Sequence, residues 1–187
     1  MTDEVRQMLE NNRRFVENKE YEQFRTSGLP DKKIAVVTCM DTRLVQLLPA
    51  ALGIRNGDVK MIKNAGGMIT DPYDSTVRSL LIAIGELGVE EIMIVGHTQC
   101  GVAGLDADEL IEALEEKGVS EENIAAAASQ GIDLKGWLGG FDHVEDAVCE
   151  TVDLLRSHPL IPESVEIDGY VIDIVTGELR PVAGDDR

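Results

Sequence analysis

The segment Lys33-Ile34-Ala35-Val36-Val37-Thr38 is a short, unbroken apolar run rich in β-branched residues. A half-exposed strand would alternate, so this pattern predicts a strand buried on both faces, as in a parallel sheet. Residues 59–62, after the turn Arg55-Asn56-Gly57-Asp58, and the run Glu91-Ile92-Met93-Ile94-Val95-Gly96 read the same way. Between them, Ser75–Leu87 carries apolar residues at 77, 80, 81, 84 and 87, the period of a helix closed by Gly88. Strand, strand, helix, strand predicts an α/β fold with a central, mostly parallel sheet flanked by helices.

The flanks are weaker signals. Residues 3–25 are polar, with Val5, Met8, Leu9, Phe15 and Val16 at roughly helical spacing, and predict one amphipathic helix. Gly28-Leu29-Pro30-Asp31 then breaks the chain, so residues 1–28 form an N-terminal helical arm. The 187 residues show no repeat or linker, and one core commonly holds ~100–200 residues, so 1–187 is expected to be one domain. Residues 106–116 and 121–129 predict surface helices, and 144–156 a longer amphipathic one. Residues 165–175 alternate imperfectly and are expected as a late strand or hairpin at the sheet edge.

Charge narrows the partners. Seventeen Lys+Arg against 35 Asp+Glu leave a net charge of −18, which repels nucleic acid and anionic lipid. The acid is spread along the whole chain, the composition of a protein from a halophilic host, where molar salt cuts the screening length to ~3 Å. No apolar run approaches the ~20 residues of a membrane helix. The acidic start Met1-Thr2-Asp3-Glu4 has no apolar leader pattern, so a cytoplasmic location is expected. Three cysteines, Cys39, Cys100 and Cys149, suit metal or thiol chemistry better than a disulfide framework.

Two of those cysteines sit at strand ends. Cys39-Met40-Asp41-Thr42-Arg43 follows the first strand, and on an extended chain alternate residues share a face, so Cys39, Asp41 and Arg43 can converge. His97-Thr98-Gln99-Cys100 follows the third strand, and a helical turn starting at Cys100 would bring both ligating side chains to one side. Open α/β sheets place their sites at these carboxyl ends. Two thiolates and an imidazole make a set suited to Zn²⁺, with a fourth position left for water. Asp41 is near enough in sequence to take that position and close the site. Arg43 opposes this, because an ion pair holds the carboxylate off the metal. Singly, each element is weak: a cysteine after a buried strand is usually a small core residue, and an Asp-x-Arg pair is usually a surface ion pair. Their joint placement at two strand ends carries the reading. Cys149 falls inside the apolar pattern of the late helix and reads as core.

These residues resemble the β-class carbonic anhydrases. The likeness rests on C-x-D-x-R at 39–43, on H-x-x-C at 97–100, and on Lys63-Asn64-Ala65-Gly66-Gly67, similar to the family's Arg-Asn-Ala-Gly with Lys for Arg. It extends through Val77-Arg78-Ser79 to Gly96-His97, and to His158-Pro159-Leu160-Ile161-Pro162 and Gly169-Tyr170-Val171-Ile172-Asp173. It spans about residues 33–180, and the short length resembles the compact, plant-type-like archaeal and bacterial members. The resemblance implies Zn²⁺ on Cys39, His97 and Cys100, with Asp41 and Arg43 as a catalytic dyad. It also implies reversible hydration of carbon dioxide to bicarbonate and a proton, in a homodimer or higher even homo-oligomer whose arm crosses to its neighbour. Two departures stand out. Arg55 stands where some larger members carry a glutamine that contacts the substrate. The single Trp, Trp137, is far from the first cysteine, whereas the bicarbonate-inhibited branch has a Trp shortly before it, so no such inhibitory site is expected.

Carbon dioxide is a small apolar electrophile, so its hydration mainly needs a strong nucleophile near neutral pH. Zinc supplies one as bound hydroxide, by lowering the pKa of its water from about 15.7 to ~7 in favourable sites. Two thiolates cancel the formal charge of the ion, so activity is expected to rise into the alkaline range. Gly66 and Gly67, with no Cβ to block close approach, are expected to line a small substrate pocket. His143 and His158 are expected to serve structure or surface. Two alternatives remain open from the residues: a hydrolase of carbon disulfide or carbonyl sulfide using the same ligands, and a noncatalytic protein with Asp41 permanently on zinc.

Overall fold

Strand β1 (Ile34–Cys39) lies inside a five-stranded sheet in the computed structural model, which describes residues 1–182. It pairs in parallel with β2 (Val59–Asn64) on one side and β3 (Glu91–His97) on the other. β4 (Glu166–Ile172) continues the parallel sheet beside β3, and the short β5 (Leu179–Pro181) closes it antiparallel, giving the order β2-β1-β3-β4-β5.

The apolar runs are continuous because both faces are covered. Ala35, Val37, Ile92 and Ile94 pack under helices α3 (Ser75–Leu87) and α7 (Val144–Arg156), against Val77, Leu80, Val148, Val152 and Leu155. Val36 and Val95 point into a second core with Leu44 and Leu48 of α2 (Leu44–Ala51). Each such aliphatic side chain contributes about 1.5–3 kcal/mol when fully buried. Asp74 caps α3 by accepting from the Val77 amide at 2.8 Å, and Gly88 ends it at φ 70°, as the sequence predicts.

Register sets the site. Thr38 lies opposite Val95, and its hydroxyl donates to the Val95 carbonyl at 2.8 Å, so Cys39 and His97 leave the sheet at nearly the same level. The chain leaves β1 through α2 toward β2, but leaves β3 toward β4 on the other side. Adjacent strands whose connections diverge leave a crevice at their carboxyl ends.

Several elements differ from the sequence reading. The arm is not one helix: α1 (Asp3–Glu17) stops, Lys19 adopts φ 56°, and a 3-10 turn over Glu20–Phe24 folds back to set Phe24 6.0 Å from Phe15. The late strand β4 is interior, and its hairpin partner β5 takes the edge. Helix α2 was not expected, since Pro49 inside it removes an amide donor and disguises the period. Downstream, α4 (Ala107–Glu116) and α5 (Glu121–Ser129) match expectation, while α6 (Leu134–Leu138) is additional. Cys149 sits on the flank of α7 and is half-buried rather than in the core. Among the described residues, no helix is long and apolar enough to cross a membrane.

Candidate metal centre

Cys39 ends β1, His97 ends β3, and Cys100 closes the turn after β3. All three are buried, and their ligand atoms lie within 4.8 Å of one another. The His97 Nδ1 stands 2.9 Å from the Thr98 carbonyl, which can only accept, so Nδ1 carries the proton and Nε2 presents a lone pair. That Nε2 is buried with no hydrogen-bond partner. An orphaned buried acceptor is costly unless something fills its lone pair, and here it faces the two sulfurs. The Sγ atoms are 3.9 Å apart. Two sulfurs each ~2.3 Å from a tetrahedral ion stand ~3.8 Å apart, so the trio fits zinc with little adjustment. Burial pushes the Cys100 thiol above its ordinary pKa, and a coordinated metal would reverse this by taking the thiolate.

Beside the trio, Asp41 and Arg43 form a closed fork. Asp41 Oδ1 accepts from the Arg43 amide at 2.8 Å and from Nε at 3.0 Å, while Oδ2 accepts from Nη2 at 2.7 Å. The Arg43 hydrogen bonds hold the Asp41 carboxyl well below the usual carboxylate range. Asp41 Oδ2 is 3.9 Å from His97 Nε2, beside the place a metal would occupy. Arg43 Nη2 makes one more contact, donating to the Gln99 carbonyl at 3.0 Å.

The residues converge as expected, but by different local geometry. β1 stops at Cys39, and residues 41–43 form a turn closed by the Asp41 side chain, not an extended face. No helix starts at Cys100; His97 and Cys100 are brought together by a tight turn in which Gln99 adopts φ 54°. The Thr98 and Gln99 carbonyls are the participants the sequence did not reveal, because a backbone carbonyl has no residue signature.

Gly66 and Gly67 are buried with φ 81° and 69°. A Cβ on Gly67 would lie 2.7 Å from the Cys39 nitrogen, whereas one on Gly66 would meet the movable ends of Phe141 and Met68 at 3.2–3.3 Å. Gly67→Ala is therefore expected to cost about 2–4 kcal/mol, from left-handed strain plus overpacking against fixed backbone. Gly66→Ala should cost less, and paired denaturant melts that rank the two the other way would refute this account.

The remaining candidates lie elsewhere. His158 is buried, with Nε2 2.9 Å from the Pro72 carbonyl and Nδ1 accepting from the Leu160 amide at 3.2 Å, which marks it as a structural residue. His143 is exposed at the start of α7, Arg55 is exposed with its amide on Asp58, and Trp137 is exposed on α6.

Comparison with known proteins agrees with this geometry. A family model for carbonic anhydrase matches residues 34–179. The Bacillus subtilis (strain 168) protein named "Putative carbonic anhydrase YvdA" is 48% identical over 175 residues, which cover 94% of this chain and 89% of that protein. A carbon disulfide hydrolase of Acidithiobacillus thiooxidans is 34% identical over 186 residues, covering 95% of this chain and 90% of that one. Among solved structures, β-carbonic anhydrase isoform I of Trichomonas vaginalis is 34% identical, with a TM-score of 0.88 over 97% of this chain and 98% of its own.

Proposed function

The chain belongs to the β-class carbonic anhydrase family of zinc enzymes, and on that premise we propose that it catalyses the reversible hydration of carbon dioxide to bicarbonate and a proton. The observation that carries this reading is a buried Cys39–His97–Cys100 donor set with an ionised Asp41 held beside it by Arg43. When bound there, zinc supplies a Lewis acid that makes water nucleophilic near neutral pH.

The protein's own residues do the rest. Asp41, ionised and acceptor-only, takes a hydrogen bond from the attacking water and so orients the lone pair that meets the substrate. Arg43 keeps Asp41 in that place and prevents it from closing the site, which disfavours the noncatalytic reading. The surroundings of Cys39 and Cys100, with Val36, Val95 and Ile172, are apolar and strengthen each of these electrostatic contacts. Gly67 allows the chain to pass closely behind Cys39, and Gly66 stands next to it against Phe141 and Met68, which supports a pocket sized for a small apolar molecule. We also assign a homodimer or higher even assembly, supported by α1, which buries none of its residues and exposes Met8, Leu9 and Val16. The spread of acidic residues supports a high-salt host, and a cytoplasmic location is part of the same proposal.

The likeness to a carbon disulfide hydrolase favours a second reading, hydrolysis of that substrate by the same ligands. Stopped-flow hydration in molar KCl from pH 6.5 to 9, with bound zinc quantified and carbon disulfide run in parallel, separates the two. Hydration of CO2 should scale with zinc and rise with pH. The rise does not come from Asp41: its depressed pKa means that the carboxyl is already ionised throughout this range. Full zinc with no CO2 hydration at pH 9 would overturn the assignment, and turnover of carbon disulfide in that sample would replace it.

A further inference from the structure

We propose that Gln99 is a positioning residue, whose left-handed backbone fixes the Asp41–Arg43 pair to the turn that carries His97 and Cys100. The inference rests on the reading of Asp41 and Arg43 as the dyad. The fork between them joins two residues of one short loop, and by itself it leaves the pair able to move together. The Arg43 Nη2 contact to the Gln99 carbonyl, at 3.0 Å, ties that loop to the ligand turn across the gap between β1 and β3.

That carbonyl is available because Gln99 has φ 54°, a conformation that costs energy for any residue with a Cβ. Its side chain is exposed. The turn is pinned from the opposite side as well. The Thr98 amide donates to the Ile172 carbonyl at 3.0 Å, and the Thr98 hydroxyl accepts from the Ile174 amide at 3.0 Å. Strained backbone persists where its surroundings over-determine it, and such strain clusters where geometry matters for function. Here the turn is clamped between the end of β4 and the dyad. Its consequence is that Cys100 faces Cys39 while the carbonyl of residue 99 faces Arg43.

The test is a graded series at position 99 in the zinc-loaded full chain. Gln99→Gly accepts the left-handed region freely and keeps the carbonyl, so kcat/KM should stay within about twofold. Gln99→Ala should fall between, and Gln99→Val, whose β-branch disfavours this region most, should lose about tenfold, the scale of one hydrogen bond to a charged donor. Zinc content should be unchanged across the series. The decisive readout is the Arg43 Nη2–H resonance, the donor to the Gln99 carbonyl: slow exchange with water in the parent and in Gln99→Gly, faster in Gln99→Val. Should Gln99→Val not fold, the Gly and Ala variants still give the order. An unchanged Arg43 signal and rate in Gln99→Val, or a loss in Gln99→Gly equal to that in Gln99→Val, would overturn the proposal. The resonance reports on the tether even in a protein that hydrates no CO2, so failure of the enzymatic reading is seen separately.

Discussion

Cys39→Ser should bind zinc at least about a hundredfold more weakly than the parent chain and show no measurable CO2 hydration. The apparent binding free energy of a structural zinc site, ~10–16 kcal/mol, is shared among a few ligands, and a serine hydroxyl is too weak an acid to replace a thiolate. If Cys39 were only a small core residue, the nearly isosteric change would alter stability modestly and leave metal content untouched. Burial alone cannot distinguish these cases, since Cys39 is buried in an apolar cluster either way. Metal linkage can. Added zinc should raise the melting temperature of the parent and not that of the variant, because only the parent gains folding free energy from the ligand. Cys149→Ser is the control: Cys149 lies on α7 outside the donor set and should keep full zinc. Stoichiometric zinc with parental activity in Cys39→Ser would remove the metal centre from the argument.

The fold was legible where one physical signal dominated. β1 and β3 are covered on both faces, so their residues spell unbroken apolar runs that only a buried parallel strand explains, and the ligands follow those runs directly in the chain. Helix α2 was hidden because eight residues containing Pro49 give too little period to recognise. The kink at Lys19 and the interior place of β4 had no local signature; each reflects tertiary contacts, with Phe24 returning to Phe15 and with Glu166–Ile172 pairing along β3. The site shows the same division. Side-chain chemistry announced Cys39, Asp41, Arg43, His97 and Cys100, although the turns that gather them have no such signature. What the Thr98 carbonyl does for the His97 tautomer, and the Gln99 carbonyl for Arg43, depends on backbone direction alone, which side-chain identity does not encode.

Asp41→Ala should retain its zinc and lose about 100-fold in kcat/KM, within the range measured when a residue that orients a reacting group is removed. Arg43→Ala is expected to lose at least as much, by a different route. Without the guanidinium, the carboxylate keeps none of its three Arg43 side-chain and main-chain restraints except the amide of residue 43, and its Oδ2 already stands 3.9 Å from His97 Nε2. A small rotation then carries it onto the metal, and the site closes. The two losses should therefore not add: the double variant should resemble Asp41→Ala, because a missing carboxylate cannot close the site. Cobalt substitution reads this directly, since its visible spectrum changes with the ligand set. The spectrum should shift in Arg43→Ala and revert in the double variant. Asp41→Ala with activity within threefold of the parent would reduce the fork to an ordinary surface ion pair, worth no more than ~1 kcal/mol. The structure argues otherwise through placement. Arg43 is partly open to water, yet it spends one Nη2 on both Asp41 and Gln99, and the carboxylate it holds lies beside the orphaned imidazole nitrogen.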